Sequence, residues 1–307
     1  MNPLFFIKKQ PQKGVPAALF VTAFPFFVPE NAIFVPERPI LSPCGNVGNS
    51  AAFLSAVCAT FAVREQNKKR KKYDQHFWRF NHEGRDFRDE KGDGKPKYKI
   101  SQNNFVSRCE QNLGVRILNF SCFGSTTTQG MRYVDRYGEE LKGSNVAVFE
   151  YGGNDCDFDW KAVAEAPQAQ HQPNVTLHRF VQQYDMLIER VKKLGIAPVI
   201  LSMPVIEPDR FFETVSLGLN RNNILQWLGG KTIRISHWHE RYNLELFKFA
   251  RQKKVPIVDI TSPFLELPDY GDYLCADGIH PNERGHALIA EVLMAKAAHF
   301  PGLQQCG

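Results

Sequence analysis

The residues best placed to do chemistry lie in Cys275-Ala-Asp277-Gly-Ile-His280-Pro-Asn282, where an aspartate stands three residues before a histidine, just ahead of an apolar-periodic helix. Such a loop builds a general base with its own orienter. The carboxylate accepts from one imidazole nitrogen and fixes the tautomer, which leaves the other nitrogen to take a proton from a nucleophile. The competing reading makes Asp277 a helix N-cap and His280 a surface residue, so the outcome depends on what else converges on this loop.

Two further loops carry suitable chemistry. Asn119-Phe-Ser-Cys-Phe-Gly124-Ser-Thr-Thr-Thr offers a glycine whose backbone N–H can turn toward a ligand before the next helix. In Gly152-Gly153-Asn154-Asp155, two glycines allow close backbone approach and the Asn154 amide can donate to a developing oxyanion. Taken singly, Gly124 reads equally as a turn residue and Asn154-Asp155 as an ordinary polar loop. His237-Trp-His239-Glu240 looks like a metal motif, but side chains two apart on a helix point to different faces, so these histidines read as core or surface residues. His286 reads as a structural residue of the last helix.

These loops need elements to hold them, and the chain from about Tyr98 supplies a regular alternation. Ser101 to Leu113 is expected to be an amphipathic helix with Ser101 as N-cap, with Phe105, Cys109 and Leu113 on one stripe, and with Gly114 ending it. Buried strands are expected at 115–120, 145–151, 197–203 and 255–260, with helices at 177–194, 233–254 and 285–299. Strands alternating with helices of this length pair in parallel through right-handed crossovers, giving an α/β sheet covered on both faces. Ligands in such folds bind beyond the carboxyl ends of the strands, where all three loops fall. The long segment from Pro204 to Lys231, with Phe211-Phe212, Trp227 and Gly229-Gly230, is either a substrate wall or packing against the main domain.

The whole chain has 307 residues, 43% of them apolar, enough for one large domain with an appendage. Its net charge of +6 owes much to the local run Lys68-Lys-Arg-Lys-Lys72, so it does not indicate a nucleic-acid partner. Seven cysteines, scattered and without Cys-x-x-Cys, favour reduced thiols in a cytoplasmic protein over disulfides or a zinc site. The apolar runs Val15 to Pro29 and Asn49 to Val63 are too short to span a membrane, and neither membrane attachment nor secretion is expected. Residues 1–72 read as an extension foreign to the rest, disordered or spurious in translation, and residues 73–307 as the folded domain.

Gly124, the Gly-x-Asn-Asp run from Gly152 to Asp155 and the Asp-x-x-His run from Asp277 to His280, in this order, resemble the SGNH hydrolases, the GDSL family of esterases and lipases. The resemblance implies a three-layer α/β/α sheet of flavodoxin type and ester hydrolysis by serine attack, with no metal or other cofactor. It further implies that Gly124 N–H and the Asn154 side chain form an oxyanion hole, that His280 is the base and that Asp277 is its orienter. The implied substrate is a small-molecule or carbohydrate ester.

The family's Gly-Asp-Ser motif, which supplies the nucleophile at the end of the first strand, is missing. The expected region reads Phe77-Trp-Arg-Phe-Asn-His-Glu-Gly-Arg-Asp-Phe87 and holds no serine. Gly48-Asn49-Ser50 lies too far upstream, and Gly92-Asp93-Gly94 has the wrong third residue. The codon table points to a cause. Tryptophan has only the codon TGG, so reading one base later across Trp78 forces a glycine, and synonymous codons then allow Phe77 to Phe87 to spell Phe-Gly-Asp-Ser-Ile-Thr-Lys-Gly-Val-Ile-Phe. The same frame gives Met-Ile-Asn-Ile ahead of it, the methionine spanning Tyr73 and Asp74, and Lys69-Arg70-Lys71 can be encoded as a bacterial ribosome-binding site. A frameshift before about Asp89 and divergence with loss of the nucleophile are the two explanations. Under either, the chain as written is expected to be destabilised and inactive as an esterase, since Tyr73 to Asn81 is poor material for a strand buried on both faces.

Overall fold

The computed structural model describes residues 59–64, 101–297, 299 and 300. The segment Tyr73 to Asn81 and the basic run at 68–72 lie outside the described residues. A five-stranded sheet in the order β2-β1-β3-β4-β5 forms the middle layer, with β1 Ala59–Arg64, β2 Arg116–Asn119, β3 Val146–Glu150, β4 Ala197–Leu201 and β5 Ile257–Val258. β3, β4 and β5 pair in parallel, whereas β1 is antiparallel to both of its neighbours. It follows that β2 runs in the direction of β3, and β1 alone is reversed, in an inner position.

The residue alternation along the strands assigns the two faces. Ala147 and Phe149 of β3 and Ile200 of β4 pack on one side, against Phe180, Tyr184 and Leu187 of α5 (Leu177–Lys193) and Leu246 and Phe249 of α8 (Arg234–Lys253). Val146 and Val148, with Val199 and Leu201, pack on the other side, against Phe105 and Cys109 of α1 (Phe105–Leu113) and Ile289 and Leu293 of α10 (Glu283–Ala297). A sheet apolar on both faces has to be covered on both, and the result is the three-layer α/β/α arrangement expected of this pattern.

Between β2 and β3 run α2 (Thr127–Arg136) and the short α3 (Gly138–Leu141); α4 (Trp160–Glu165) follows β3. α6 (Pro208–Val215) and α7 (Arg221–Trp227) follow β4, and α9 (Ser262–Leu265) follows β5. The expected helix over 101–113 begins only at Phe105. Its N-cap is Asn104, whose side chain accepts from Ser107 N, and not Ser101. Ser101 instead accepts from Asn104 N through its carbonyl and from Asn103 N through its hydroxyl, so it shapes the turn before the helix. Phe105 and Cys109 are buried as expected, but Leu113 is 37% exposed in the last turn. Gly114 closes the helix in the left-handed region at φ 62°.

Among the described residues, no helix is long and apolar enough to cross a membrane. Cys109, Cys122 and Cys156 are free thiols.

Candidate active site

The loop from Cys275 to Asn282 is a tight reversal closed by a bridge between Leu274 and Pro281, with Cys275 N donating to His280 O at 2.7 Å. Inside it Asp277 Oδ2 accepts from His280 Nδ1 at 2.6 Å, while Asp277 Oδ1 accepts from the backbone N–H groups of Ile279 and His280, each at 3.1 Å. Both side chains are buried, at 6% exposure for either residue. Burial by itself would raise the Asp277 carboxyl; the His280 hydrogen bond, the imidazole's charge and the two backbone donors outweigh it and hold the group below the usual carboxylate range. The helix cap is Asn282, whose Oδ1 accepts from Arg284 N and Gly285 N. Asp277 is therefore not the cap of α10, and its carboxylate is committed to His280.

Gly278 makes this reversal feasible. It sits at φ 76°, and a Cβ there would lie 2.7 Å from Glu207 O and 2.9 Å from Phe211 N. Its carbonyl accepts from Glu207 N at 2.8 Å, so the loop is seated on the start of α6.

The loops after β2 and β3 reach the same end of the sheet. Gly124 lies in the left-handed region at φ 74°. Asn154, 3% exposed, donates from Nδ2 to the carbonyl of Ser125, the next residue after Gly124, at 3.1 Å. The ring of Phe123 stands edge-on to the imidazole of His280, with centroids 5.7 Å apart. Gly124 and Asn154 are thus on bonded loops, and the residue beside Gly124 touches His280. A cavity of about 270 Å³ opens next to His280, walled by Asn104, Phe105, Cys122, Phe123, Asn282 and His286 among others.

Asp155, given no role from sequence, is the clamp between the two loops. It is fully buried, and its carboxylate accepts from Thr127 N at 3.0 Å and from the Thr127 hydroxyl in the first turn of α2. Its place directly after Asn154 was the available signal, but its partner is 28 residues away, beyond the reach of local pattern. Burial pushes this carboxyl up to about 6, against the lowering effect of the Thr127 bonds. An unfolded aspartate ionises near pH ~3.9. Between about pH 4 and 6 the folded chain therefore holds more protons at this site than the unfolded chain, so stability from this group falls as pH rises, on the order of 3 kcal/mol across the window. Asp155→Asn should flatten that part of the pH profile; urea midpoints at pH 4, 5, 6 and 7 measure it. An unchanged slope in the variant would assign the titration elsewhere.

His237 is exposed and His239 is 3% exposed, so the helix does turn them to different faces. Among the described residues, no group of three or more His, Cys, Asp or Glu side chains is placed to hold a metal ion. The segment from Pro204 to Lys231 packs Phe211, Phe212 and Ile224 against Phe158 and Trp160. Phe211 also walls a small void of about 20 Å³ beside Gly153, Asn154 and Ile279. Of the two roles expected of this segment, the packing is what these contacts show.

Comparison with known proteins places these observations. No curated protein matches the chain. Solved structures with similar folds include a lipolytic protein of the G-D-S-L family from Veillonella parvula, 16% identical, covering 64% of this chain and 87% of its own, with a TM-score of 0.44. A catalytic mutant of an acetylxylan esterase from Geobacillus stearothermophilus is 17% identical, with 63% and 80% covered and a TM-score of 0.47. A lipase/acylhydrolase from Enterococcus faecalis is 15% identical, with 67% and 90% covered and a TM-score of 0.43. The family model of the GDSL-like lipase/acylhydrolases matches residues 91–288, well over half of the chain and inclusive of all three motif loops. With that span matched, the chain belongs to the GDSL-like lipase/acylhydrolase family.

Proposed function

We propose that this chain descends from a serine ester hydrolase in which His280 is the general base, Asp277 its orienter, and Gly124 N–H and the Asn154 side chain the oxyanion hole. The observation that carries the reading is the buried 2.6 Å hydrogen bond from His280 Nδ1 to Asp277 Oδ2. An aspartate bonded there keeps the proton on Nδ1 and the lone pair on Nε2, the state in which a histidine accepts a proton from a hydroxyl. The substrate class is a small carboxylic ester, acetylated carbohydrate included, taken in the cavity beside His280.

The nucleophile is the serine encoded one base out of frame beneath Phe80 and Asn81, and its absence leaves the chain as written inactive. The reversal of β1 supports this. Ala59 pairs with Glu150 and Arg64 pairs with Arg116, so β1 starts at the site end of the sheet and leaves from the opposite end. A nucleophile following a strand in this inner slot reaches His280 only if that strand runs parallel to β2 and β3. The shifted frame offers such a strand, Met-Ile-Asn-Ile-Phe, leading directly into Gly-Asp-Ser. On this reading the functional domain begins near Tyr73, and the residues before it are no part of the enzyme.

The nucleotide sequence tests the proposal without any protein. The Phe80 codon is expected to be TTC, which yields serine in the shifted frame; TTT yields leucine there and removes the hypothesis. In that second case the chain is a binding module that keeps the cleft without turnover, the reading favoured by the lack of serine between Phe77 and Phe87.

A further inference from the structure

We propose that Glu150 and His286 hold one buried water between them, and that this bridge seats the loop carrying His280. Glu150 ends β3, and the strand alternation puts it on the face of Val146 and Val148, toward α1 and α10. It is 2% exposed, and its Oε1 has no hydrogen-bond partner among the described residues. His286 lies in the first turn of α10, 9% exposed, and its Nδ1 likewise has no partner among the described residues. Both residues line one void, closed by Phe105, Ile260, Ile279 and Pro281.

Buried polar atoms are seldom left unsatisfied in a folded protein, and where two residues that carry them line one space, water is the usual third party. The void amounts to about 10 Å³, close to the room a single water requires. A water carries two protons and two lone pairs, so it satisfies Glu150 Oε1 and His286 Nδ1 in either imidazole tautomer. Burial, with Asp155 adding, pushes the Glu150 carboxyl well above its ordinary value, and burial, with His280 and Arg108 adding, pushes His286 down to about 4.

Ile279 and Pro281, the neighbours of His280 on either side, form part of the wall around this water. Losing the water would let that wall settle and move the imidazole relative to Asp277. Glu150 and His286 are thus positioning residues, acting through the loop and not on substrate. Only this consequence rests on the reading of His280 as a base; the test reads no hydrolysis, so the two fail separately.

The test compares Glu150→Leu, His286→Leu, their double replacement and Glu150→Gln by thermal unfolding, and by proton NMR of the His280 Nδ1–H bonded to Asp277. With a shared water, each leucine strands the other polar group and lowers the midpoint, while the double replacement loses less than the sum of the two. The His280 proton shifts in both single leucine variants and keeps its parental position in Glu150→Gln. If Glu150→Leu raises the midpoint, the void is dry and the acid was merely unsatisfied, which overturns the proposal. Additive losses, or a His280 proton unmoved by either leucine, overturn it equally.

Discussion

A chain rebuilt with the frame restored through residues 77 to 87 is expected to hydrolyse p-nitrophenyl acetate on the order of 10⁶-fold faster than the chain as it stands. In triad enzymes the nucleophile and base act as a unit, and losing the nucleophile alone removes nearly all that the unit contributes. The other parts of the proposed site are the 2.6 Å bond between Asp277 and His280, the buried Asn154 on the loop bonded to Ser125, and a cavity beside the imidazole. Restoring the frame adds two things together, a serine and a strand that runs parallel to β2 and β3. The measurement is the initial rate for both chains, with His280→Ala in each. The rebuilt chain should lose its gain with His280→Ala, whereas the present chain should show no loss. Appreciable hydrolysis by the present chain that disappears with His280→Ala would mean that another nucleophile serves the site.

In the rebuilt chain, Asp277→Asn should lower kcat by about 10⁴ with KM little changed. The geometry gives the reason. Asp277 Oδ1 accepts from two backbone N–H groups, so an amide placed there keeps its oxygen on those donors and turns its NH₂ toward His280. That NH₂ donates to Nδ1, which forces the imidazole proton onto Nε2 and leaves no lone pair for the serine proton. The loop would retain its shape, because its backbone bonds survive, and near-parental thermal stability should accompany the loss of rate. A decrease under about tenfold would mean that Asp277 serves the loop's fold and not the base.

Much of the frame was readable from local pattern. Ile117, Val148, Val199 and Val258 all fall in strands where short apolar runs put them, because strands buried on both faces have little else to be made of. The strands came out shorter at their ends, most of all in β5, where Pro256 has no N–H to donate to a ladder. The choice of Ser101 over Asn104 as the cap failed for a similar reason. Both are competent capping residues three positions apart, and which one caps depends on where the apolar stripe meets the sheet. Asp277 and His280 were legible because their bond is local. Asp155 with Thr127 was not, nor was the void shared by Glu150 and His286, since both arise only through the packing of distant elements.

The direction of the inner strand was the least legible feature. Local sequence can mark Ala59–Arg64 as extended, but parallel and antiparallel strands use much the same residues, and only the surrounding connections select between them. The family pattern pointed to a strand near Tyr73 in this slot; the structure fills it with a segment read as foreign to the domain.

The seating of Gly278 on α6 bears on any attempt to graft new specificity onto this scaffold. Long segments between strands are attractive to exchange between relatives, and the stretch from Pro204 to Lys231 is the obvious one to swap. Its first turn, however, carries the Glu207 N–H that holds the Gly278 carbonyl, together with the Phe211 backbone against which Gly278 packs. A graft cut at Pro204 would transplant the footing of the His280 loop along with the rest of the segment. A cut made after Phe212 would exchange the remainder and leave His280 on its original foundation.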